Sequence, residues 1–375
     1  MKFVLAPDSF KGTLAAGEVC DIEARAIREL LPDAQVVAMP LADGGEGTLE
    51  ALAHAYGTTA RRIRLTVHDP LMREIAAEYL QLPDSTACVE LAQASGLQRL
   101  RQEERNPLEA STYGTGELLW HALGNGNRKV IVGLGGSATV DGGLGLAQAL
   151  GVKFLDKHGQ LIDANTPAEL LVRARSYDME NAPWRDAQII VASDVTSPLL
   201  GPDGAAAVFG PQKGATPEMV AELEKGLANW TQLWQDDGNQ PGDGAAGGVG
   251  FLLRKLFPNC RTLSGGELIC ELAGLDRQLA DADLVITGEG ASDAQTLCGK
   301  LPIIVSRHAQ HAALPCALLS GFLSPEAKAK LAPYFQHLAG TASRPLAPAE
   351  LTPDGCRKRL DMATKQLLLN LLDKT

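Results

Sequence analysis

Phe3-Val4-Leu5-Ala6-Pro7-Asp8-Ser9-Phe10-Lys11-Gly12 stands at the start of the chain, and Asp283-Leu284-Val285-Ile286-Thr287-Gly288-Glu289-Gly290-Ala291-Ser292-Asp293 stands near its other end. Each is a short apolar run, fit for a buried strand, that stops at a loop of carboxylates and small residues. Helical periodicity follows both, over Leu14 to Leu31 and over Pro302 to Ala312, where proline is acceptable in the first turn. Outward from these runs, Gln35 to Met39 predicts a second strand leading to the loop Ala42 to Gly47 and a helix beginning near Thr48. Cys316 to Ser320 predicts another strand, with Gly321 as the break after it, and Arg357 to Leu372 a closing amphipathic helix. Strands alternating with helices at both ends are the pattern of an α/β protein.

The middle of the chain reads differently. Ile63 to Val67, Ile75 to Leu80 and Ala87 to Leu91 alternate with no long helix between them, which predicts antiparallel or mixed pairing. A helix over Gly116 to Leu123, a strand over Lys129 to Val132, a very Gly-rich loop and a helix over Leu144 to Leu150 come next. Gln188 to Ala192 predicts a strand, Pro217 to Trp234 a long helix, and Asp236 to Gly242 a turn or linker.

Thirty-nine glycines in 375 residues is roughly a tenth of the chain, against about 7% on average. The formal net charge of -11 argues against a chain-wide basic surface for nucleic acid or membrane. The start shows no targeting segment, and no apolar run is long enough to span a bilayer. Seven scattered cysteines, none in a C-x-x-C pair, read as reduced thiols of a cytoplasmic protein.

Four loops follow predicted strands and concentrate polar groups: Asp8 to Gly12, Asp43-Gly44-Gly45-Glu46-Gly47-Thr48, Gly288 to Asp293, and Ser320-Gly321. In an open parallel sheet the loops at the carboxyl ends of strands converge on one crevice, so these four should face one another. Carboxylates that hold Mg²⁺ and glycine amides that hold phosphate form the equipment of phosphoryl transfer. Taken singly, each loop also reads as an acidic turn capping the next helix.

Gly133-Leu134-Gly135-Gly136-Ser137-Ala138-Thr139-Val140-Asp141-Gly142-Gly143 has two readings. Gly133-x-Gly135-x-x-Ala138 after a strand satisfies the dinucleotide fingerprint, and Asp156 lies about twenty residues on. Helical periodicity begins only near Leu144, however, and so glycine-dense a loop better resembles a broad anion cradle of backbone N–H groups. Phe209-Gly210-Pro211-Gln212-Lys213-Gly214 and Pro241 to Gly248 add two more glycine loops, the first with the positive charge of Lys213, the second equally suited to close helix packing. Asp194 stands just past a predicted strand, where a catalytic base or metal ligand can sit. No P-loop or protein-kinase signature occurs.

Read together, these segments resemble the bacterial glycerate kinase family. The matching pieces are Ala6 to Gly12, Ala42 to Thr48, Gly114-Thr115-Gly116-Glu117-Leu118, Gly135 to Thr139 with Asp141-Gly142-Gly143, Asp194-Val195, Phe209 to Gly214, Gly244 to Gly248 and Thr287 to Gly290. The resemblance implies an ATP- and Mg²⁺-dependent kinase that makes 2-phosphoglycerate from glycerate, a small anionic hydroxy acid. It also implies a discontinuous flavodoxin-like doubly wound domain, residues 1–62 and 281–375, with a second mixed α/β domain, residues 63–280, inserted. A homodimer is compatible with the sequence. The chain departs from the family pattern at Ala291-Ser292 (usually Arg, then Ile or Leu), Tyr113 (Arg), Val140 (Asn) and Ser193 (Cys). The loss of two guanidinium groups means either that another basic residue substitutes or that the acceptor is not plain glycerate.

On this reading Asp194 or Asp293 accepts the hydroxyl proton and Lys11 offsets charge on the substrate or phosphoryl group. Asp8, Ser9, Gly135, Gly136, Ser137, Thr139, Asp141, Lys213 and Gly247 bind nucleotide, phosphate or substrate, and Asp43, Glu46, Glu289 and Asp293 are the Mg²⁺ candidates. The rival readings are a nicotinamide-dependent hydroxy-acid dehydrogenase and a catalytically silent ligand sensor on the same fold.

Overall fold

The computed structural model describes residues 1–162, 167–179, 182–293, 296–297 and 299–372. Cys298, and Ala294 and Gln295 just past the loop expected over Gly288 to Asp293, lie outside the described residues. In chain order the strands are β1 (Lys2–Leu5), β2 (Gln35–Ala38), β3 (Arg61–His68), β4 (Glu74–Gln81), β5 (Thr86–Glu90), β6 (Lys129–Gly133), β7 (Lys153–Leu155), β8 (Ser176–Asp178), β9 (Gln188–Ala192), β10 (Cys260–Leu263), β11 (Leu284–Ser292), β12 (Cys316–Leu323) and β13 (His337–Ala342). The chain divides into two compact units, one of residues 1–43, 50–57 and 266–375, the other of residues 44–49 and 58–265.

The first unit holds a five-stranded sheet in the order β13-β12-β11-β1-β2, parallel throughout. Read from β2, this is the 2-1-3-4-5 order of flavodoxin-like sheets, with the reversal of strand order between β1 and β11. A parallel strand is covered on both faces, which is why Phe3, Val4 and Leu5 are successively apolar and all fully buried. The helix Ala16–Leu30 presents Val19, Cys20, Ile22 and Ile27, and the helix Pro353–Leu372 presents Cys356, Leu360, Leu367 and Leu368, to one core with Phe3, Leu5, Ile286 and Leu319.

Two strands run further than their sequence suggests. A loop is expected after Thr287 and a break at Gly321, yet β11 and β12 stay paired as far as Ser292↔Leu323. The glycines there serve close backbone approach. A Cβ on Gly288 would stand 2.1 Å from the Leu319 carbonyl oxygen, and one on Gly321 2.3 Å from that of Gly290. The polar groups of Glu289 and Ser292 are therefore carried on a strand end, a stiffer support than a loop.

Glu23 is an anomaly of this core. Both its carboxylate oxygens are buried without a hydrogen-bond partner, and burial pushes its pKa up to about 8. An acid raised in the folded state loses stability as pH climbs from the unfolded value to the folded one, because only the unfolded chain gives up its proton in that window. Glu23→Met is expected to be more stable than the parent by a margin that grows between about pH 5 and about pH 8, reaching a few kcal/mol, and then levels. Urea unfolding midpoints across that range check it.

The second unit holds a six-stranded sheet, β10-β9-β6-β5-β4-β3, in which β10, β9, β6 and β5 run parallel and β5, β4 and β3 antiparallel. This is the mixed pairing that the alternating middle segments predict. β7 and β8 form a separate antiparallel pair. Trp230, fully buried on the helix Pro217–Leu233, packs on Phe154 at 5.2 Å between ring centroids and donates its indole N–H to the Gly142 carbonyl at 3.0 Å. Asp236 to Gly242 is a turn pinned to the unit: Arg254 grips Asp236 at 2.9 Å and Asp243 at 2.7 Å. Among the described residues six cysteines are free, and no helix is long and apolar enough to cross a membrane.

Candidate active site

In the first unit the carboxyl ends of the strands enclose a cavity of about 410 Å³. Its polar end gathers Asp8, Ser9, Lys11, Asp43, Glu289, Asp293 and Lys300. β1 delivers the first three: the Asp8 amide donates to the Gly288 carbonyl at 2.9 Å, and the Asp8 side chain accepts from the Ser9 amide at 2.6 Å. Burial, reinforced by Asp43, pushes the Asp8 carboxyl up to about 7. Lys11 donates to Asp43 at 3.3 Å; partial burial works against its charge, but Asp43 and Asp8 outweigh it and hold its pKa above the ordinary value.

Opposite them, Glu289 is held at one oxygen by the hydroxyls of Ser292 (2.8 Å) and Thr296 (2.7 Å), and Ser292 also meets the Ser320 hydroxyl at 2.6 Å. Lys300 stands 3.4 Å from the other Glu289 oxygen and 3.7 Å from Asp293. Ser292 and Ala291, two of the departures from the family pattern, thus become a brace for Glu289 and an uncharged stretch of cavity wall. Lys300 is a basic residue on that wall that the sequence reading missed; the signal was its place directly before the Leu301-Pro302 helix start.

The Asp8, Asp43, Glu289 and Asp293 carboxylate oxygens at this end suit a hard ion such as Mg²⁺ better than a softer one. Among the described residues no three His, Cys, Asp or Glu side chains form a ready cage.

The second unit carries the glycine loops. Residues 44–48 lie over the ends of β6 and β9: a Cβ on Gly133 would come within 2.5 Å of the Gly44 carbonyl oxygen, and one on Gly135 within 2.4 Å of the Gly45 Cα. Glu90, at the end of β5, accepts from the Leu49 amide at 3.0 Å and the Gln93 side chain at 3.2 Å, and burial raises its pKa. Glu90 was not found from sequence, because the Leu49 amide it accepts from is distant in the chain. Glu46 is exposed in this unit and does not line the cavity of Asp8, Asp43 and Glu289.

Lys213 is buried, donating to the Ser137 hydroxyl at 2.6 Å and the Thr139 carbonyl at 2.7 Å, and burial pushes its pKa down to about 7 despite Asp141. The Thr139 hydroxyl is buried without a partner. Asp141 is fully buried and braces the loop, accepting from the Thr112 amide (2.9 Å) and hydroxyl (2.7 Å), the Gly143 amide (3.0 Å) and the Gly145 amide (3.2 Å). Gly247, at φ +70, lies so close that a Cβ would stand 2.1 Å from the Thr139 carbonyl oxygen. Asp194 is exposed two residues past β9.

The dinucleotide reading finds little here. The glycine loop opens no helix before Leu144, and Asp156 caps its own turn after β7, in the small separate sheet. A doubly wound sheet with carboxylates and lysines on its carboxyl rim, in a chain that also carries a glycine-dense loop around a buried lysine, fits phosphoryl transfer instead.

The comparisons with known proteins agree. The profile of the glycerate kinase family matches residues 3–370. The chain is 40% identical over 332 residues to glycerate 2-kinase of Escherichia coli (strain K12), covering 87% of this chain and 86% of that one. It is 38% identical over 381 residues to glycerate kinase of Halalkalibacterium halodurans, covering 98% and 96%. The crystal structure of a provisionally named glycerate kinase 2 from Salmonella typhimurium LT2 superposes with a TM-score of 0.84 at 38% identity, over 100% of this chain and 99% of that one. The chain belongs to the glycerate kinase family.

Proposed function

We propose that the protein transfers the γ-phosphoryl group of ATP to the 2-hydroxyl of glycerate, giving 2-phosphoglycerate and ADP. The observation that carries this reading is the polar end of the first unit's cavity, where Lys11 and Lys300 stand among Asp8, Asp43, Glu289 and Asp293 at the carboxyl ends of parallel strands. The names of the relatives support the acceptor.

Phosphoryl transfer asks the protein mainly for positioning and for offsetting charge. Lys11 offsets charge on the transferring group, and Asp8 and Ser9 orient what it grips. The Gly135 to Thr139 backbone, with Ser137 turned by Lys213 and the loop braced by Asp141 and Gly247, takes up an anionic group of nucleotide or substrate. Asp43, Glu289 and Asp293 would hold Mg²⁺, which would supply charge neutralisation at phosphate oxygens. Asp194 or Asp293 accepts the hydroxyl proton.

Phosphorus NMR of the product tests the position: a 2-phosphate couples to a single proton and gives a doublet, whereas a 3-phosphate gives a triplet. A triplet would reassign the reaction. The two candidate bases separate by Asp194→Asn and Asp293→Asn. The variant lacking the base is expected to lose about 10²–10⁴-fold in kcat, while the other chiefly raises the KM for Mg-ATP; steady-state kinetics decides which is which.

A further inference from the structure

We propose that the apolar end of the first unit's cavity is a nucleobase slot, so that a purine nucleotide lies along the rim of this sheet with its base against Phe10, Phe322 and Leu346 and its phosphates toward Lys11 and Lys300. The proposal rests on the kinase reading and assigns the nucleotide subsite within it.

The cavity is two-ended. Beyond the carboxylates and lysines, its walls are mainly apolar, with Phe10, Ala291, Phe322, Leu346 and Leu351, and also carry Thr13, Thr341 and Arg359. A three-carbon hydroxy acid has no apolar surface to set against them and would leave most of the 410 Å³ unfilled. A nucleotide matches both ends, with a flat, weakly polar base and a polyanionic tail, and pockets of about 300–1,000 Å³ take ligands of that size. Topology agrees: the cavity lies where strand order reverses between β1 and β11, which is where doubly wound sheets bind mononucleotides.

The slot is built ahead of its ligand. Phe10 is buried and held by the exchange of backbone bonds with Leu14 at 2.8 and 3.0 Å. Gly290 and Gly321 put no side chain between the strand ends and the cavity; a Cβ on Gly290 would already press on Phe10 and Lys11 backbone at 3.2–3.3 Å. Over the top, residues 344–350 form a short strap closed by a two-pronged pair, Arg344 to Glu350 at 2.7 and 3.0 Å, and by the Ala347 amide on Glu350 at 2.8 Å. That closure presents Leu346 to the cavity without leaving it to a mobile loop.

Calorimetric titration of the full chain with Mg-ADP, with inorganic tripolyphosphate and with D-glycerate tests this. Leu346→Asp, in a partly exposed strap that no core depends on, places a charge in the slot and is expected to weaken Mg-ADP about tenfold or more. Tripolyphosphate and glycerate binding should stay unchanged. Phe322→Ala should weaken Mg-ADP in the same selective way. Unchanged Mg-ADP affinity in both variants, or an equal loss of tripolyphosphate, would overturn the slot while leaving the kinase reading intact. A parent protein that binds neither Mg-ADP nor Mg-ATP would overturn both.

Discussion

Lys11→Ala is expected to lower kcat by about 10²–10³-fold and to leave thermal stability nearly untouched. The two halves of that expectation have different sources. In the resting protein the Lys11 ammonium is mostly exposed and meets Asp43 at 3.3 Å, and an exposed pair of this kind is worth about 0–1 kcal/mol. On the proposed mechanism it faces charge that spreads over the phosphoryl oxygens during transfer, inside a cavity lined by four carboxylates. Removing it takes away an offsetting charge and leaves the carboxylates to repel the incoming phosphates. Lys11→Arg should recover part of the loss through charge, though not through the compact geometry of an ammonium. Circular-dichroism melting alongside steady-state kinetics checks both halves; a Lys11→Ala enzyme with parental kcat would remove the residue from the mechanism.

Gly247→Ala is the substitution with the largest expected effect on stability. The new methyl would stand 2.1 Å from the Thr139 carbonyl oxygen and 2.6 Å from the Val140 Cα, at a φ of +70 that an L side chain resists. Overpacking of this sort costs about 1–3 kcal/mol, and the left-handed conformation about 1–2 kcal/mol more. The strain falls on the segment that carries Ser137, Thr139 and Asp141, because the Gly142 amide donates to the Gly247 carbonyl at 2.9 Å. Trp230 bonds to Gly142 and reports the damage directly. Its fluorescence should shift and the urea midpoint of the second unit should drop; a variant with the parental midpoint would mean that these two glycine loops do not depend on each other.

What the sequence reveals follows the range of the interactions involved. The strand at Phe3 and the helix ending at Leu31 are local matters of period, and both are legible. So is the grouping of Asp8, Lys11, Asp43, Glu289 and Asp293, because parallel strands send their carboxyl ends to one rim whatever the details. Lys300 and Glu90 escape notice because each acts on residues that only folding brings near, Glu289 for the one and the Leu49 amide for the other. Glycine misleads in a specific way: at Gly288 and Gly321 it reads as a break in a strand, whereas it permits two strands and a loop to touch. Lys213 shows a related limit. Gly210-Pro211-Gln212-Lys213-Gly214 announces a charge in a loop, but its depth, and the spending of two N–H bonds on Ser137 and Thr139, depend on the loop that closes over it.

The central claim is that this chain phosphorylates glycerate with ATP. Coupled measurement of ADP release by purified protein, with Mg-ATP and D-glycerate, tests it most directly. The account predicts steady ADP release that requires glycerate and vanishes without it. No release with glycerate or any other short hydroxy acid, from protein that is folded and binds NADH tightly in place of Mg-ATP, would contradict it.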